Sequence, residues 1–512
     1  MAERSILLRN ATMAEMRHRR STPNRADLVI RRDRIVGIEP AGSVPSTSVT
    51  EVIDAGRLLV LAGMINGHVH SWDHFHKGLL ENLTTELFMA QIRPRAPLRL
   101  SERQIYLRTM VGAIESLKTG ATTIIDDLSL GQVFSRAHVD AVLQAYEDAG
   151  TRALVGFSMI DKPVVDSYPF VDQVFSHQLL SELRALPRPN ADQLLDLCQE
   201  LARLRHPASH RVGVIIAPSA AQRCTDVFLQ QCRRLADELD LPAMIHCQET
   251  RMQIVTGDAF YGKSPIAHLA DLGFLQPRTA LIHGTWLSER DIGIIAGSGA
   301  SVQYNPWSNM VTGSGVAPVR RCLDAGINVS MGSDGTGILF GVNMLNAVGV
   351  GAALPKIYEP DHRRWVTGLD TFQAATLGGA VALGMEAELG TVEVGKKADL
   401  VCYSLDTTSL TPLNDPIAQI VYGERGAGVH TVIVDGDVVV EGGRCLRFDE
   451  EALLRETQNA HAELADQIRR SLDDSIPFLE ALTKVYVRTL DCPLCHDQLP
   501  AWVTGNNIGT VP

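Results

Sequence analysis

No run of about eighteen apolar residues occurs in the 512-residue sequence, which excludes an ordinary transmembrane helix. The first twenty residues also lack a continuous apolar segment, so no secretory signal is evident. Nine cysteines are scattered without the spacing of a disulfide framework, and their number is odd. We therefore expect reduced thiols in a soluble, cytoplasmic protein.

Basic residues are in deficit, with 47 Lys and Arg against 59 Asp and Glu and a formal net charge of -12. An acidic chain without a clustered basic stretch is a poor candidate for binding nucleic acid or an anionic membrane surface. Hydrophobic residues make up 45% and charged residues 21%, which is ordinary for a globular protein with a sizeable core.

From about residue 58 the sequence alternates between apolar strands and amphipathic helices. No Gly-rich dinucleotide-binding motif follows the first strand, which argues against a Rossmann domain. Eight strand–helix units over about 330 residues favour a (β/α)8 TIM barrel over an open doubly wound sheet. The predicted strands are Leu58–His70, Ala121–Leu128, Thr151–Ile160, Arg211–Ala217, Leu241–His246, Thr279–His283, Ala300–Tyr304 and Ile327–Gly332.

The helices between these strands have recognisable start and stop signals. Ser101 with Gln104 and Ser288 with Asp291 have the spacing of capping boxes. Glycines precede three of the strands, where a left-handed residue ends a helix without steric cost. The predicted helices include Glu102–Lys118, Val139–Ala149, Ala191–Arg205, Thr225–Asp240, Glu289–Ala296 and Pro318–Ala325.

Strand character at both chain ends predicts a second, smaller domain. Residues 1–60 and 391–448 read as a composite small β-sandwich, with Gly390–Gly395 among its strands and a hairpin turn at Asp435-Gly436. Residues 61–390 form the predicted barrel. Residues 449–512 read as a C-terminal helical extension and tail, whose helices could contribute to contacts in a homo-oligomer.

Polar residues stand where several of the apolar strands stop. His68 and His70 lie two apart at the end of the first strand, so both side chains face one interior and can hold a divalent metal. His246 ends the fifth strand, His283 ends the sixth, and Asp334 follows the eighth. Any one of them is as easily a capping or turn residue. Their shared position at the C-terminal ends of barrel strands, where such enzymes build their active sites, favours a catalytic centre.

These motifs resemble those of the amidohydrolase superfamily, in the branch of cytosine deaminase-like and triazine hydrolase-like enzymes. The resemblance runs from about residue 5 to residue 445 and is specific for the fold and the metal, not for the substrate. The motifs are Gly63-Met-Ile-Asn-Gly-His-Val-His70, His246-x-x-Glu249, His283-Gly-Thr, Asn305-Pro-x-Ser-Asn309 and Gly332-Ser-Asp334-Gly.

The resemblance implies that His68, His70, His246 and Asp334 hold one divalent cation, with Glu249 and His283 acting on substrate and water. Asp334 could also orient the attacking hydroxide. Zinc suits an imidazole-rich set, although iron, manganese or cobalt could occupy the same ligands. Two-metal members have a carboxylated lysine on the fourth strand, and the run from Arg211 to Ser219 contains neither Lys nor Glu. We therefore expect a single metal.

The implied function is metal-dependent hydrolysis of a non-peptide C–N bond in a small molecule by metal-activated hydroxide. Two reactions stay open: deamination of a heteroaromatic amine, and cleavage of an amide, urea or carbamate. The His-Pro-Tyr-like element that many deaminases of the branch have after the fourth strand is replaced here by Pro218–Cys224, and the residues after His70 also depart from the pattern. A catalytically inactive scaffold is the alternative from another class.

Further residues are candidates for substrate contact because they follow barrel strands on the same face. Three indoles there suggest a planar or aromatic ligand, although for any one of them packing in the loop layer is the more common role. The candidates are Trp72, Asp73, His74, Gln222, Trp286 and Trp307. In the tail, Cys492 and Cys495 lack the second pair that a structural zinc site needs, so a turn with reduced thiols is the simpler reading.

Overall fold

A computed structural model of the chain describes residues 4–17, 20–92, 98–129, 131, 135–337, 339 and 341–504. In these residues no helix combines the length and the apolar character needed to cross a bilayer. The last eight residues of the predicted tail, 505–512, lie outside the described part of the chain.

Eight short parallel strands form the centre of the larger domain. They are arranged as two four-stranded sheets, one containing the first four strands in chain order and the other the last four. Nearly all of their residues are buried, because helices and side chains cover both faces. The strands are β1 (Met64–Val69), β2 (Ala121–Asp127), β3 (Arg152–Gly156), β4 (Val212–Val214), β5 (Ala243–Cys247), β6 (Thr279–His283), β7 (Ser301–Tyr304) and β8 (Val329–Met331).

The two sheets meet at both of their edges. Beyond β4, isolated parallel bridges join Ile216 to Ala243 and Ala220 to His246. At the opposite edge, the amide of Asp334 donates a hydrogen bond of 2.8 Å to the carbonyl of His68. Both junctions therefore include residues that the sequence assigns to the candidate site.

The helices agree with the sequence pattern in order and in most boundaries. Glu102–Lys118 has the predicted bounds, and Ser101 and Ser288 each begin their helix with a complete capping box. Gly150 ends its helix at φ 79°, in the left-handed region that costs glycine little. The helices of the larger domain include Thr85–Ile92, Glu102–Lys118, Arg136–Ala149, His177–Arg184, Ala191–Leu204, Asp226–Glu238, Arg251–Tyr261, Pro265–Asp271, Glu289–Ser298, Pro306–Val311, Val319–Asp324, Met344–Ala353, Gly368–Gln373 and Gly379–Leu383.

The prediction of one continuous first strand over Leu58–His70 is wrong. The run divides at Gly63 into Leu58–Ala62, which pairs with Leu400–Ser404 in the smaller domain, and β1. A side chain at position 63 would collide with Thr122, since an added Cβ would lie 2.2 Å from its Oγ1. Because the run is apolar throughout, its sequence carries no alternation that could mark the change of sheet.

Both chain ends contribute strands to one nine-stranded mixed sheet. Its strand at one end contains only two residues, and Glu51–Asp54 pairs with the first strand off the main path. The predicted strand at Gly390–Gly395 is absent, because a turn at Gly395 breaks that segment. The order along the sheet is Arg444–Cys445, Asp437–Glu441, Val429–Val434, Leu400–Ser404, Leu58–Ala62, Ser5–Arg17, Arg20–Arg31 and Arg34–Pro40.

Beyond the composite sheet the chain forms two long helices, Glu450–Asp474 and Ile476–Asp491. The second helix buries Phe478, Leu482 and Val485 in a cluster with Val165 and other residues of the segment after β3. The extension is thus packed against the side of the larger domain on which the strands end.

Candidate active site

Three imidazoles and a carboxylate meet at the C-terminal ends of the strands. His68 lies near the end of β1 and His70 just beyond it, so both rings point inward, with centroids 4.6 Å apart. The ring of His246, from β5, lies 4.9 Å from that of His68. Asp334, in the loop after β8, places Oδ1 3.5 Å from His68 Nε2 and 3.4 Å from His70 Nε2.

The hydrogen bonds around these rings fit a metal centre. Both ring nitrogens of His68 are buried and have no hydrogen-bond partner among the described residues. His70 Nδ1 lies 2.9 Å from the carbonyl of Asp127, and His246 Nδ1 lies 2.8 Å from the carbonyl of Ser219. A carbonyl only accepts, so each Nδ1 carries the proton and each Nε2 keeps its lone pair for a ligand. This is the second sphere expected of metal-binding histidines.

The electrostatics of three of the four residues favour the ionisation states that a cation requires. At the fourth, His70, burial lowers the pKa, but the nearby Asp334 and Asp127 raise it overall. Burial, together with the nearby ring of His70, holds the pKa of His68 well below its ordinary value, and burial beside His68 does the same for His246. Burial acts against ionisation of Asp334 as well, but the neighbouring His68 and His283 lower the pKa of this carboxyl overall. Neutral imidazoles beside an ionised carboxylate are the states in which these groups bind metals.

Glu249 and His283 stand beside the cluster and face each other. Thr85 Oγ1 donates a 2.6 Å hydrogen bond to Glu249 Oε1, while Glu249 Oε2 lies 3.7 Å from His283 Nε2. On the other side of its ring, His283 Nδ1 accepts from the Asn309 amide nitrogen at 3.1 Å. That bond leaves the proton on Nε2, which also lies 3.8 Å from Asp334 Oδ2.

Two of these residues have unusual backbone conformations. His283 has φ 77° and Asp334 has φ 68°, both in the left-handed region that non-glycine residues rarely occupy. Such conformations persist where the surroundings over-determine them and are frequent at active sites. Near Asp334 the backbone passes very close to β1. A Cβ added at Gly332, two residues before Asp334, would lie 2.7 Å from the backbone nitrogen of His68.

A narrow pocket of about 40 Å³ opens onto the cluster. It is lined by His70, His246, Glu249, His283 and Asp334 and by side chains of the surrounding loops, which include Trp72, Asp73, Thr85, Phe88, Arg223 and Ser308. The arrangement provides a metal-binding set, a carboxylate able to move protons and an imidazole N–H directed at the same point.

Residues 59–439 match the Amidohydrolase family. The chain belongs to this family. A 5-methylthioadenosine/S-adenosylhomocysteine deaminase of Desulforudis audaxviator is 33% identical over 465 residues, which cover 90% of this amidohydrolase and all of the relative. A 5'-deoxyadenosine deaminase of Methanothermobacter thermautotrophicus is 30% identical over 440 residues, covering 86% of this chain and 95% of the relative.

Solved structures resemble the amidohydrolase in fold. An adenosine deaminase from Xanthomonas campestris with bound zinc has a TM-score of 0.78 at 24% identity, covering 91% of this chain and 98% of the other. An atrazine chlorohydrolase from Arthrobacter aurescens, complexed with zinc, has a TM-score of 0.78 at 22% identity, with coverages of 89% and 100%. The family and its named relatives confirm that the chain is a hydrolase of carbon–nitrogen bonds other than peptide bonds, which leaves the inactive-scaffold alternative without support.

Only two of the six candidate contact residues line the pocket of the amidohydrolase. These are Trp72 and Asp73. Both carboxylate oxygens of Asp73 accept hydrogen bonds from the loop after β8, from the amides of Thr336 and Gly337 at 3.0 Å each. His74 turns away, and its Nδ1 lies 2.8 Å from the carbonyl of Arg108. Gln222 is buried outside the pocket lining, and its neighbour Arg223 lines it instead.

The other two tryptophans pack the loop layer, as the alternative reading held. Trp286 donates from Nε1 to the carbonyl of Ser314 at 2.7 Å and its ring contacts that of Trp502. Trp307 packs in an apolar cluster that contains Phe88 and Leu339. A loop lacks the two-residue period of a strand, so position after a strand does not decide which way a side chain faces.

Sequence reasoning missed several residues of the site. Asp127 at the end of β2 places Oδ2 3.9 Å from His70 Nδ1 and 3.8 Å from His246 Nδ1, and the strand-end rule that found Asp334 could have found it. Thr85 and Arg223 carry no such signal, because they come from loop-proximal segments that only the fold brings to the pocket. In the tail, Cys492 is half-buried and Cys495 exposed, and both are free thiols.

Proposed function

We propose that this amidohydrolase is a mononuclear metal-dependent deaminase, which hydrolyses the bond between a heteroaromatic ring carbon and its amino nitrogen and releases ammonia. The observation that carries the proposal is His68, whose two buried ring nitrogens find no hydrogen-bond partner in the described part of the chain and lie among two further imidazoles and a carboxylate. Deamination is favoured over amide cleavage because two relatives that are 30% or more identical, and that this chain covers over nearly their whole length, are named as deaminases.

The proposed ligands are His68, His70, His246 and Asp334. Donor atoms of His68, His70 and His246 lie within 4.8 Å of one another, and so do those of His68, Asp334 and the neighbouring His283, which is not a proposed ligand. Nitrogen donors with one carboxylate suit zinc, and iron, manganese or cobalt could bind the same set. One ion is proposed because β4 and its flanks offer neither lysine nor glutamate at the position of a bridging ligand.

When bound, a divalent cation supplies a Lewis acid that lowers the pKa of water to near neutral. Glu249 is positioned by Thr85 to accept a proton from the attacking water and return it to the departing nitrogen. His283 can donate a hydrogen bond from Nε2–H to the substrate beside the carbon that is attacked. This bond stabilises the negative charge that develops on the substrate as that carbon becomes tetrahedral. Asp334 Oδ2, 3.8 Å from His283 Nε2, can orient the water.

Cleavage of an amide, urea or carbamate is the second candidate. The same proton transfers would serve it, and the segment after β4 departs from the deaminase pattern where Arg223 enters the pocket. Free ammonia with a hydroxylated ring distinguishes deamination from release of an amine with an acid product.

The finer architecture belongs to the same proposal. We infer that the two parallel sheets close into one (β/α)8 barrel, because bridges at Ala243 and His246 and the Asp334–His68 hydrogen bond join both pairs of edges. The composite sheet is proposed as a sandwich, since one apolar cluster gathers Leu28, Val60 and Ile433 from separated strands. The cytoplasmic location and the formation of a homo-oligomer stay predictions. The domain limits also stay predictions, with a small domain at 1–60 and 391–448, a barrel at 61–390 and a C-terminal extension at 449–512.

The test compares metal content and ammonia release in three forms of the protein purified without a metal-binding tag. The wild type should contain about one equivalent of metal and release ammonia from a heteroaromatic amine. Asp334→Ala should lose metal and turnover together. Glu249→Gln should keep the metal yet lose about a hundredfold or more in rate, because proton transfer is removed. A metal-free, fully active Asp334→Ala protein would refute the ligand set, and an amine product would replace deamination with the second candidate.

A further inference from the structure

A second cavity of about 540 Å³, here called the side chamber, lies next to the narrow pocket. Trp72 lines both spaces. Leu128, which follows β2, and Ile160, which follows β3, line the side chamber from the same end of the strands as the metal ligands. The pocket at the ligands, at about 40 Å³, is far below the usual size of a ligand site, whereas the side chamber is within it.

The charges of the side chamber have one sign. None of its described lining residues is acidic, although the chain as a whole carries a net charge of -12. Three arginines line the side chamber: Arg108, which is buried, and Arg99 and Arg188, which are exposed. The rest of the lining is largely apolar and includes Ile105, Val142, Val164 and Phe478.

Arg108 is a buried cation without an ion pair among the described residues. It is 8% exposed, and its Nε has no hydrogen-bond partner in that part of the chain. Asp126 and Asp73 act on its charge from a distance, but Asp126 accepts from the amide of Ser71 at 3.0 Å and from Tyr146 Oη at 3.0 Å. A buried charge without a paired counter-charge is costly, so this guanidinium is suited to a ligand that brings one.

We propose that the side chamber binds the distal part of the substrate, an apolar group that ends in a carboxylate paired with Arg108. The planar guanidinium matches a carboxylate in two parallel hydrogen bonds, and the apolar walls match the hydrocarbon that leads to it. The inference rests on the proposed function in treating the narrow pocket as the place of the reacting amine and the side chamber as the place of the remainder.

A singly charged group fits better than a phosphate dianion. The other buried ionisable group in the lining, His76, has its pKa lowered to about 4 by burial and by nearby Arg108, so the imidazole is neutral at pH 7. Burial also lowers the pKa of Arg108, to about 10, which leaves the guanidinium charged at pH 7. One buried positive charge therefore faces the ligand, and a monoanion neutralises it.

The experiment measures binding to the metal-loaded protein by calorimetry, independently of turnover. The probes are phenylalkanoates from phenylacetate to 5-phenylpentanoate, each compared with its primary amide, which has the same shape and no charge. At least one acid should bind about tenfold or more tightly than its amide, as expected for a buried charged hydrogen bond. Arg108→Gln should remove this preference while leaving the affinity for the amide within about threefold.

The matched control is Arg103→Gln, which removes the same charge from an exposed position on the same helix and should leave the preference intact. Arg108→Lys keeps the positive charge but cannot make two parallel hydrogen bonds to a carboxylate, so it should retain part of the preference for the acid. It replaces Arg108→Gln in the test if that variant does not fold. The proposal is overturned if the wild-type protein binds none of the acids more tightly than the matching amide. It is also overturned if Arg103→Gln loses as much of the preference for the acid as Arg108→Gln does. Neither result depends on deamination, whose own failure would appear as missing ammonia with the acid preference unchanged.

Discussion

At the scale of single residues, Glu86 is a buried carboxyl group near the site whose pKa is raised. It lies in the helix Thr85–Ile92, accepts a hydrogen bond from Thr250, and its Oε2 has no partner among the described residues. Burial, assisted by the neighbouring charge of Glu249, raises the pKa of Glu86 from 4.5 to about 7. The folded protein therefore holds a proton on Glu86 that the unfolded chain releases near pH 4.5.

This shift predicts a pH-dependent cost. The folded state binds this proton more tightly than the unfolded chain does. The contribution of Glu86 to the free energy of unfolding is therefore fully present below pH 4.5 and is lost as the pH rises towards 7, a total change of about 3 kcal/mol. Glu86→Gln stays neutral, so its Tm should exceed that of the wild type at pH 8 and match it near pH 4.5. Glu81→Gln, at an exposed position, is the control and should leave Tm unchanged at both pH values. If Glu86→Gln differed from the wild type by the same Tm at pH 8 and at pH 4.5, the raised pKa of Glu86 would be contradicted.

Asn309 is a positioning residue for His283. Its amide donates to His283 Nδ1 at 3.1 Å and so keeps the proton on Nε2, whereas Asn305 is more distant at 3.4 Å. Asn309→Leu should lower kcat by about ten- to a hundredfold with little change in metal content, because the imidazole loses its fixed tautomer. Asn309→Gln should recover part of the rate. Equal kcat in the Leu variant and the wild type would show that Asn309 does not act through His283.

At the scale of elements, the loop after β8 is held by the short helical segment after β1. Asp73 Oδ1 accepts from the amide and hydroxyl of Thr336, and Oδ2 accepts from the amide of Gly337. The same loop carries Asp334, so the carboxylate of Asp73 anchors a proposed ligand without being one. A residue predicted as a substrate contact thus has a supporting role in this geometry.

Removing this anchor should loosen the metal ligand. Asp73→Ala leaves backbone donors of the loop unpaired, and we expect a loss of about 1–3 kcal/mol in the free energy of unfolding. Metal should also leave Asp73→Ala faster than the wild type during dialysis against a chelator, as measured by elemental analysis over time. Asp73→Asn keeps an acceptor for Thr336 and should be intermediate. A wild-type rate of metal loss in Asp73→Ala would contradict this role.

At the scale of the whole molecule, the larger domain and the composite sheet are joined by a buried ion pair. Arg152, in β3, places Nε 3.1 Å from Asp399 Oδ2 and Nη2 3.0 Å from Asp435 Oδ1. Arg152 and Asp399 are buried, and Asp435 occupies the predicted hairpin turn. One cation therefore connects three segments that are far apart in sequence.

Breaking this connection should destabilise the protein strongly. Arg152→Met leaves the carboxylate of Asp399 buried without its counter-charge, which costs about 3–5 kcal/mol. The exposed pair of Arg136 with Glu200 provides the control, since Arg136→Met should cost less than about 1 kcal/mol. Denaturation monitored by circular dichroism compares the two variants. Similar midpoints would show that the Arg152 pair adds little to the contact between the domains.

The sequence by itself determined the order of strands and helices, the family, and the polar residues that end β1, β5 and β6. These follow from local rules: the two-residue period of a strand directs His68 and His70 to one side, and caps such as Ser101 begin helices wherever they occur. The division of the chain at Gly63 escaped those rules, because an apolar run looks the same in either sheet.

Only the tertiary structure decided which loop residues face the pocket. Trp72 lines it, whereas Trp286 contacts Trp502 and Trp307 packs against the pocket-lining Phe88 and Leu339 without lining the pocket itself, although all three follow strands. The approach of Thr85 to Glu249, and of Arg108 to the side chamber, depends on contacts between segments distant along the chain. The physical reason is that a loop has no periodicity of its own, so the direction of its side chains is set by the packing of elements that the local sequence does not contain.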